Sequence, residues 1–396
     1  MIPSQISRTV AKEILVMFTL ALTVLTALVM FIGVAREAAS QGLGFAGTLE
    51  LIPYLIPNAL AFSIPGTVLF SICCVFGRMS AANEITALQA VGISPLATLR
   101  PALWIALLLS FFTVGIVNVA FTWGHQGVER VLLSSIEQIA IRKLEQDRRF
   151  EQGPLTLSVL DVDGDRLINP VIQVRQPSGK SIQIRADSAT LKYAHQNRGL
   201  TFSLTNGTAV LGDQASFQFP DTFSHTVSLG DGAHHDLLTA NPSHMAMWRL
   251  PTAVRQQRQE IRRQSNGIAV STGFNLLTSR LDNIAGPDAV ARTDKLQQSQ
   301  RRLHRLGAER HRRWASGFTC LALVVVGIPL AIHLRAADVM TTFGICFMPT
   351  LLMYYPVFAL TLDMAKDGRL PTWSVWSANC LFFVSGLMMI RQKLYS

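Results

Sequence analysis

Charge is what this chain has least of. Only 15% of its 396 residues are Asp, Glu, Lys or Arg, against 49% hydrophobic; soluble domains carry about a quarter charged residues. The deficit is concentrated. Six runs, at about 14–35, 51–77, 101–122, 314–332, 339–362 and 372–390, contain none of the four. Each reaches the roughly 20 residues that a bilayer core requires. The fold class that follows is an α-helical membrane protein of six spans, three on each side of a long polar segment. Cysteine is also scarce. Cys73, Cys74, Cys320, Cys346 and Cys380 all fall in the apolar runs, which excludes a disulfide framework or a Cys-based metal site in the polar segment.

The empty spans exclude more. Ion-coupled carriers keep an ionisable group on the path inside the membrane, and none is present. Asn58, Asn118 and Asn379 are the polar amides there, and a lone Asn reads as interhelical glue. "PSGKS" at 177–181 invites a nucleotide loop, but the required first Gly is Val174. No serine sits in a nucleophile elbow. His225, Asp231, His234, His235, Asp236 and His244 could gather a metal, yet they read better as a solvated loop. The chain therefore carries no catalytic centre and no cofactor of its own, and uphill transport would draw energy from a partner.

The first run exceeds the about 7–15 apolar residues of a signal peptide and reads as a retained helix. In the second, Pro53, Pro57 and Pro65 predict a tilt or kink. With the N-terminus inside, the cytoplasmic connections hold Arg8, Lys12, Arg78, Arg100, Arg335, Arg391 and Lys393, against Arg36, Lys366 and Arg369 outside. Seven against three places both termini in the cytoplasm and the polar segment outside. Arg310, Arg312 and Arg313, directly before the fourth span, run against that rule and need an explanation.

Within the polar segment, 123–147 continues the third helix at helical spacing. Alternating runs such as "SIQIRA", "LTFSLT" and "ASFQFP", separated by turn residues, then predict an all-β sandwich or jelly roll. Residues 245–308 turn helical and rich in Arg and Gln, predicting loosely packed helices or partial disorder. The organisation is 1–147 for spans 1–3, 148–240 for the β domain, 241–312 for a basic link and 313–396 for spans 4–6.

Between spans 2 and 3 lies "NEITALQAVGISPLATLRP", 83–101. Asn83 and Glu84 suit a helix start, Ile85, Leu88 and Val91 form a stripe, and Gly92 with Ser94-Pro95 stops it. Periodicity leaves two readings open: a connector resting on headgroups, or a coupling helix seated in a cytoplasmic motor domain with Glu84 as its polar contact.

"FGRMSAANEITALQAVGISPLATLRP" and "ERHRRWASGFTCLALVVVGIPLAI" at 309–332 resemble two motifs of the lipopolysaccharide export permeases, the LptF/LptG family. These are an acidic residue and short helix before Gly-x-Ser and Arg-Pro, and Glu-x-His-Arg-Arg leading into Gly-x-Pro-Leu. The three-plus-three layout around a β domain agrees, so the resemblance covers essentially the whole chain. Two features depart from the family pattern: "HLRAADV" lacks an Arg-Gly-Gly character, and 245–308 is longer and more basic.

The resemblance implies a non-catalytic subunit in the bacterial inner membrane. Its partners would be a cytoplasmic ATPase dimer that holds the ATP, a second permease, and a periplasmic jelly-roll bridge protein. Lipopolysaccharide would be the cargo, and nucleic acid plays no part. It also implies that Glu84, Ile85, Leu88, Val91 and Gly92 contact the ATPase. Arg36, Arg312 and Arg313 are candidates for lipid A phosphates, with interfacial anchoring the competing role. The alternative function is a membrane-anchored periplasmic scaffold or lipid-binding protein without transport activity.

Overall fold

The computed structural model describes the chain apart from residues 1, 42–44, 135, 153–154, 165, 176–180, 195–198, 212–214, 229–236, 239, 280–285, 335–338 and 396. Of the histidine and aspartate cluster, Asp231, His234, His235 and Asp236 lie outside the described residues. Among the described residues no metal-holding group forms. The chain divides into two compact units, one of 1–30, 56–124 and 236–396, the other of 31–55 and 125–235.

All six spans form helices long and apolar enough to cross a membrane. They are built from α1 (Ile2–Gln41), α2 (Phe45–Ala81), α4 (Pro95–Val119), α8 (Pro287–Leu334), α9 with α10 (Val339–Pro349 and Tyr355–Lys366), and α11 (Ser377–Tyr395); α3 is the short Glu84–Ala90 helix. α2 runs as one helix from Phe45 to Ala81 through Pro53, Pro57 and Pro65. Its hydroxyls fold back on the helix: Thr67 donates to the Ser63 carbonyl at 3.0 Å and Ser71 to that of Thr67 at 2.6 Å. These two hydroxyls are thereby satisfied within the helix itself.

Burial divides the spans. In α2, 72% of the apolar window is covered, against 11% in α1 and 17% in the α9–α10 span. α2 and α8 are thus the central posts of the helical unit, and the first and fifth spans present bare apolar surface. Two π turns, Ala120–Gly124 and Thr350–Tyr354, interrupt the third and fifth spans. Tyr354 in the second is 1% exposed; its hydroxyl donates to Asn379 Oδ1 at 2.5 Å and meets Thr319 Oγ1 at 2.6 Å. Asn379 Nδ2 in turn donates to the Ala315 carbonyl at 2.9 Å. Asn379 therefore links helices, as its lone position in a span predicted.

In the 245–308 segment the described residues take the helical one of the two expected forms. α7 (Leu250–Leu277) and the first half of α8 are regular helices held by Leu250, Ala253 and Leu306, and Gln257 Nε2 donates to the Ser299 carbonyl at 3.2 Å. Arg, Gln, Leu and Ala are good helix formers, and that preference prevails over the polar composition. α8 runs unbroken for 48 residues, so the basic link and the fourth span are one element.

In the second unit, α5 (His125–Ser134) and α6 (Ile136–Asp147) continue the third span, as expected. Eight antiparallel strands follow, β1 (Arg149–Gln152), β2 (Leu155–Ser158), β3 (Asp161–Asp163), β4 (Arg166–Ile168), β5 (Val171–Arg175), β6 (Ser181–Ala194), β7 (Gly199–Leu211) and β8 (Ala215–Ser228). β6 pairs with β5 over its first half and β4 over its second, and with β7 along its length. A crease crosses the long strands: Asp187 and Asn206 drop out of the β6–β7 register, Asn206 at φ 52°, and β8 shifts by one opposite 205–207. Buried positions on β6 switch there from Ile184 and Ala186 to Ala189 and Leu191. Phe150, Leu157, Leu167, Ile172, Leu191, Phe202, Leu204 and Phe219 meet in one cluster, so the sheet closes around its own apolar face. Ala140 and Leu144 of α6 cap that cluster.

Candidate functional site

Three places carry the predicted residues. The first is α3. Its start is not capped as expected: Asn83 sits in the left-handed region at φ 56°, with no side-chain hydrogen bond to the helix. The short polar Asn tolerates that conformation, and with Ala82 it forms the two-residue turn between the end of α2 and the start of α3. Gly92 stops the helix as predicted, at φ +82°, where Gly92 N–H donates to the Gln89 carbonyl and Ile93 N–H to that of Leu88. A residue with a Cβ strains in that conformation.

The expected stripe is divided. Ile85 is 9% exposed and Leu88 packs on the same helical core, whereas Val91 is 79% exposed. Ile85 therefore anchors α3 to its own subunit, which corrects its reading as part of an external seat. Glu84 stands at the edge, 3.6 Å from Arg78, and Arg78 also pairs with Glu13 of α1. The three side chains are about half exposed, so these pairs orient more than they stabilise. Thr86, Gln89, Ala90, Val91 and Gly92 form the open surface beside Glu84.

The second place is the start of the fourth span. Arg313 is fully buried, and each of its three side-chain nitrogens donates a hydrogen bond. Nε donates to Glu309 Oε1 at 3.1 Å, Nη1 to Asn118 Oδ1 at 2.8 Å, and Nη2 to the carbonyls of Ser243 at 2.9 Å and Met245 at 2.7 Å. Glu309, 1% exposed, also accepts from Arg312 Nε at 2.9 Å and Arg312 Nη2 at 2.5 Å. The Arg312 guanidinium lies 4.3 Å from the ring centre of Phe121. Asn118 Oδ1 accepts a second bond from Met247 N–H at 3.1 Å. The network ties α8 to α4 and to the segment around Pro242–His244.

Arg313 has no open face for a lipid phosphate, which corrects its candidacy. Arg312 keeps 17% of its side chain exposed and Arg310 is exposed. Glu309 offsets part of the positive charge of Arg312 and Arg313 from within the cluster. Glu309 stands in the "ERHRR" stretch with no role expected of it; its i,i+3 and i,i+4 spacing to Arg312 and Arg313 is the signal the sequence carries. Ser243 and Met245 offered none, since they act through backbone carbonyls. The third place is Arg36, which is exposed near the far end of α1. None of the three places gathers a metal-holding group among the described residues.

Among curated proteins no sequence matches the chain. The family model of the lipopolysaccharide export system permease LptF/LptG matches residues 8–392. With six apolar helices, an antiparallel sheet between the third and fourth of them in sequence, and a match over nearly its whole length, this chain belongs to the LptF/LptG family of lipopolysaccharide export permeases.

Proposed function

We propose that the chain is one permease subunit of an ATP-driven exporter that lifts lipopolysaccharide from the bacterial inner membrane and passes it to a periplasmic bridge. Both termini face the cytoplasm and the sheet faces the periplasm. α3 is the contact for a cytoplasmic ATPase dimer, and this chain binds no cofactor itself. A second permease covers the bare faces of the first and fifth spans, and cargo moves between the two. The apolar interior of the sheet receives the acyl chains, and Arg36 meets a lipid phosphate.

The observation that carries this reading is α3. It is fastened from below by Ile85 and Leu88 and leaves Glu84 and Val91 facing outward. A loop that only joined two spans would have no need of a buried anchor on one side and a carboxylate with an exposed apolar residue on the other. Co-purification with the ATPase, comparing the native chain with Glu84→Lys and Val91→Asp, tests it. Loss of ATPase from a chain that remains folded and membrane-inserted supports the reading. Undiminished association and export with both variants would return the chain to the scaffold alternative.

A further inference from the structure

The helical unit holds a cavity of about 1150 Å³ at the N-terminal end of α1, between α1, α2 and Thr342 of α9. Its rim is cationic. Arg8 and Lys12 lie one turn apart on α1 and Arg78 faces them from α2, with Glu13 the one carboxylate in the lining. Glu13 is engaged by Arg78, and among the described residues Arg8 and Lys12 form no ion pair. Two like charges at that spacing repel each other, so an anion between them relieves a cost already built into α1.

The deeper wall is different in kind. Val16 and Met17 of α1 and Cys74 and Val75 of α2 carry the cavity from the charged rim into the apolar part of the spans. Val16 is 48% exposed, and Leu20 and Val24 continue its bare surface along α1. A soluble anion would use the rim and ignore that wall. A charged head with hydrocarbon attached would use both.

We propose that this cavity binds the phosphodiester headgroup of an anionic glycerophospholipid, held by Arg8 and Lys12 with its acyl chains along Val16, Met17 and α1. The occupant is a resident membrane lipid and not the exported cargo. The inference rests on the cavity and on the chain's membrane spans, so it stands or falls separately from the role of α3.

The test is native mass spectrometry of the purified chain, with its co-purifying partners, after exchange into phosphatidylcholine nanodiscs with and without about one-fifth phosphatidylglycerol. The native chain should retain phosphatidylglycerol over phosphatidylcholine. Arg8→Gln with Lys12→Gln should lower that retention about tenfold, and Lys12→Arg should keep it. A second readout guards against misfolding: a photo-crosslinking residue at Val16 in the native background should label phospholipid acyl chains. Equal retention by the native chain and the double variant would overturn the proposal. So would displacement of the bound lipid by added lipopolysaccharide, or labelling of a partner protein from Val16 in place of lipid.

Discussion

Arg313 Nη1 donates a 2.8 Å hydrogen bond to Asn118 Oδ1 across 195 positions of sequence. The bond joins the start of the fourth span to the end of the third, inside a cluster where Arg313 is wholly buried. A buried guanidinium is tolerable only when every donor finds an acceptor, and here the acceptors come from three separate parts of the chain.

Removing that cation should be costly. Arg313→Leu leaves the Ser243 and Met245 carbonyls and one Asn118 lone pair without their donor, and thermal unfolding in mild detergent should register a loss of about 3–5 kcal/mol. Asn118→Ala should cost about 1–3 kcal/mol, and the double variant less than the sum of the two. Strict additivity would mean the two residues do not act together.

On α3 the inward and outward residues should separate cleanly. Ile85→Ala should destabilise the chain by about 2–4 kcal/mol, while Val91→Asp should leave the unfolding midpoint unchanged and weaken ATPase association. Glu84→Gln removes the charge without placing a cation beside Arg78, so it isolates the partner contact from repulsion within the subunit. A stability loss for Val91→Asp equal to that of Ile85→Ala would refute the assignment of faces.

The hydroxyl of Tyr354 can be tested alone. Tyr354→Phe keeps the ring against Phe382 and Phe358 but leaves Asn379 Oδ1 without its donor. The expected loss is about 0.5–2 kcal/mol, read as a lower unfolding temperature. A variant as stable as the native chain would show the hydroxyl to be idle.

α4 and α8 meet closely at Gly317, where an added Cβ would stand 2.3 Å from Val114 Cγ2 and 3.0 Å from the Ser110 carbonyl. Gly317→Val should therefore force the two helices apart and lower the yield of folded protein. Gly317→Val with Val114→Ala should recover part of the loss, since the smaller side chain removes the nearest clash. No recovery at all would place the obstruction at the backbone of α4.

The six spans were legible because a bilayer forbids charge, and that absence is visible in any window of the sequence. The strands were legible for a similar reason: alternation survives in "SIQIRA" whatever lies around it. The faces of α3 were not, because seven residues give fewer than two repeats of the helical period and cannot say which side is covered. Asn83 was misjudged since the same side chain serves caps and left-handed turns. Arg313 was misjudged because a basic residue beside a span usually seeks the interface, and its partners at Asn118, Ser243 and Met245 are brought to it only by folding. Two forms stayed open for 245–308 because Arg and Gln are as compatible with a regular helix as with a solvated chain.

The continuity of α8 has a mechanical consequence. Its 48 residues make a rod of about 72 Å, of which the part before Arg313 extends for about 40 Å. The clasp between Arg313 and Asn118 lies where that arm meets the span, so a tilt of the span would turn the arm about it. A tilt of about 5° in the span would swing the far end of the arm by about 3–4 Å. Small rearrangements among the apolar helices are thereby amplified into displacement well beyond them, without any flexible joint in between.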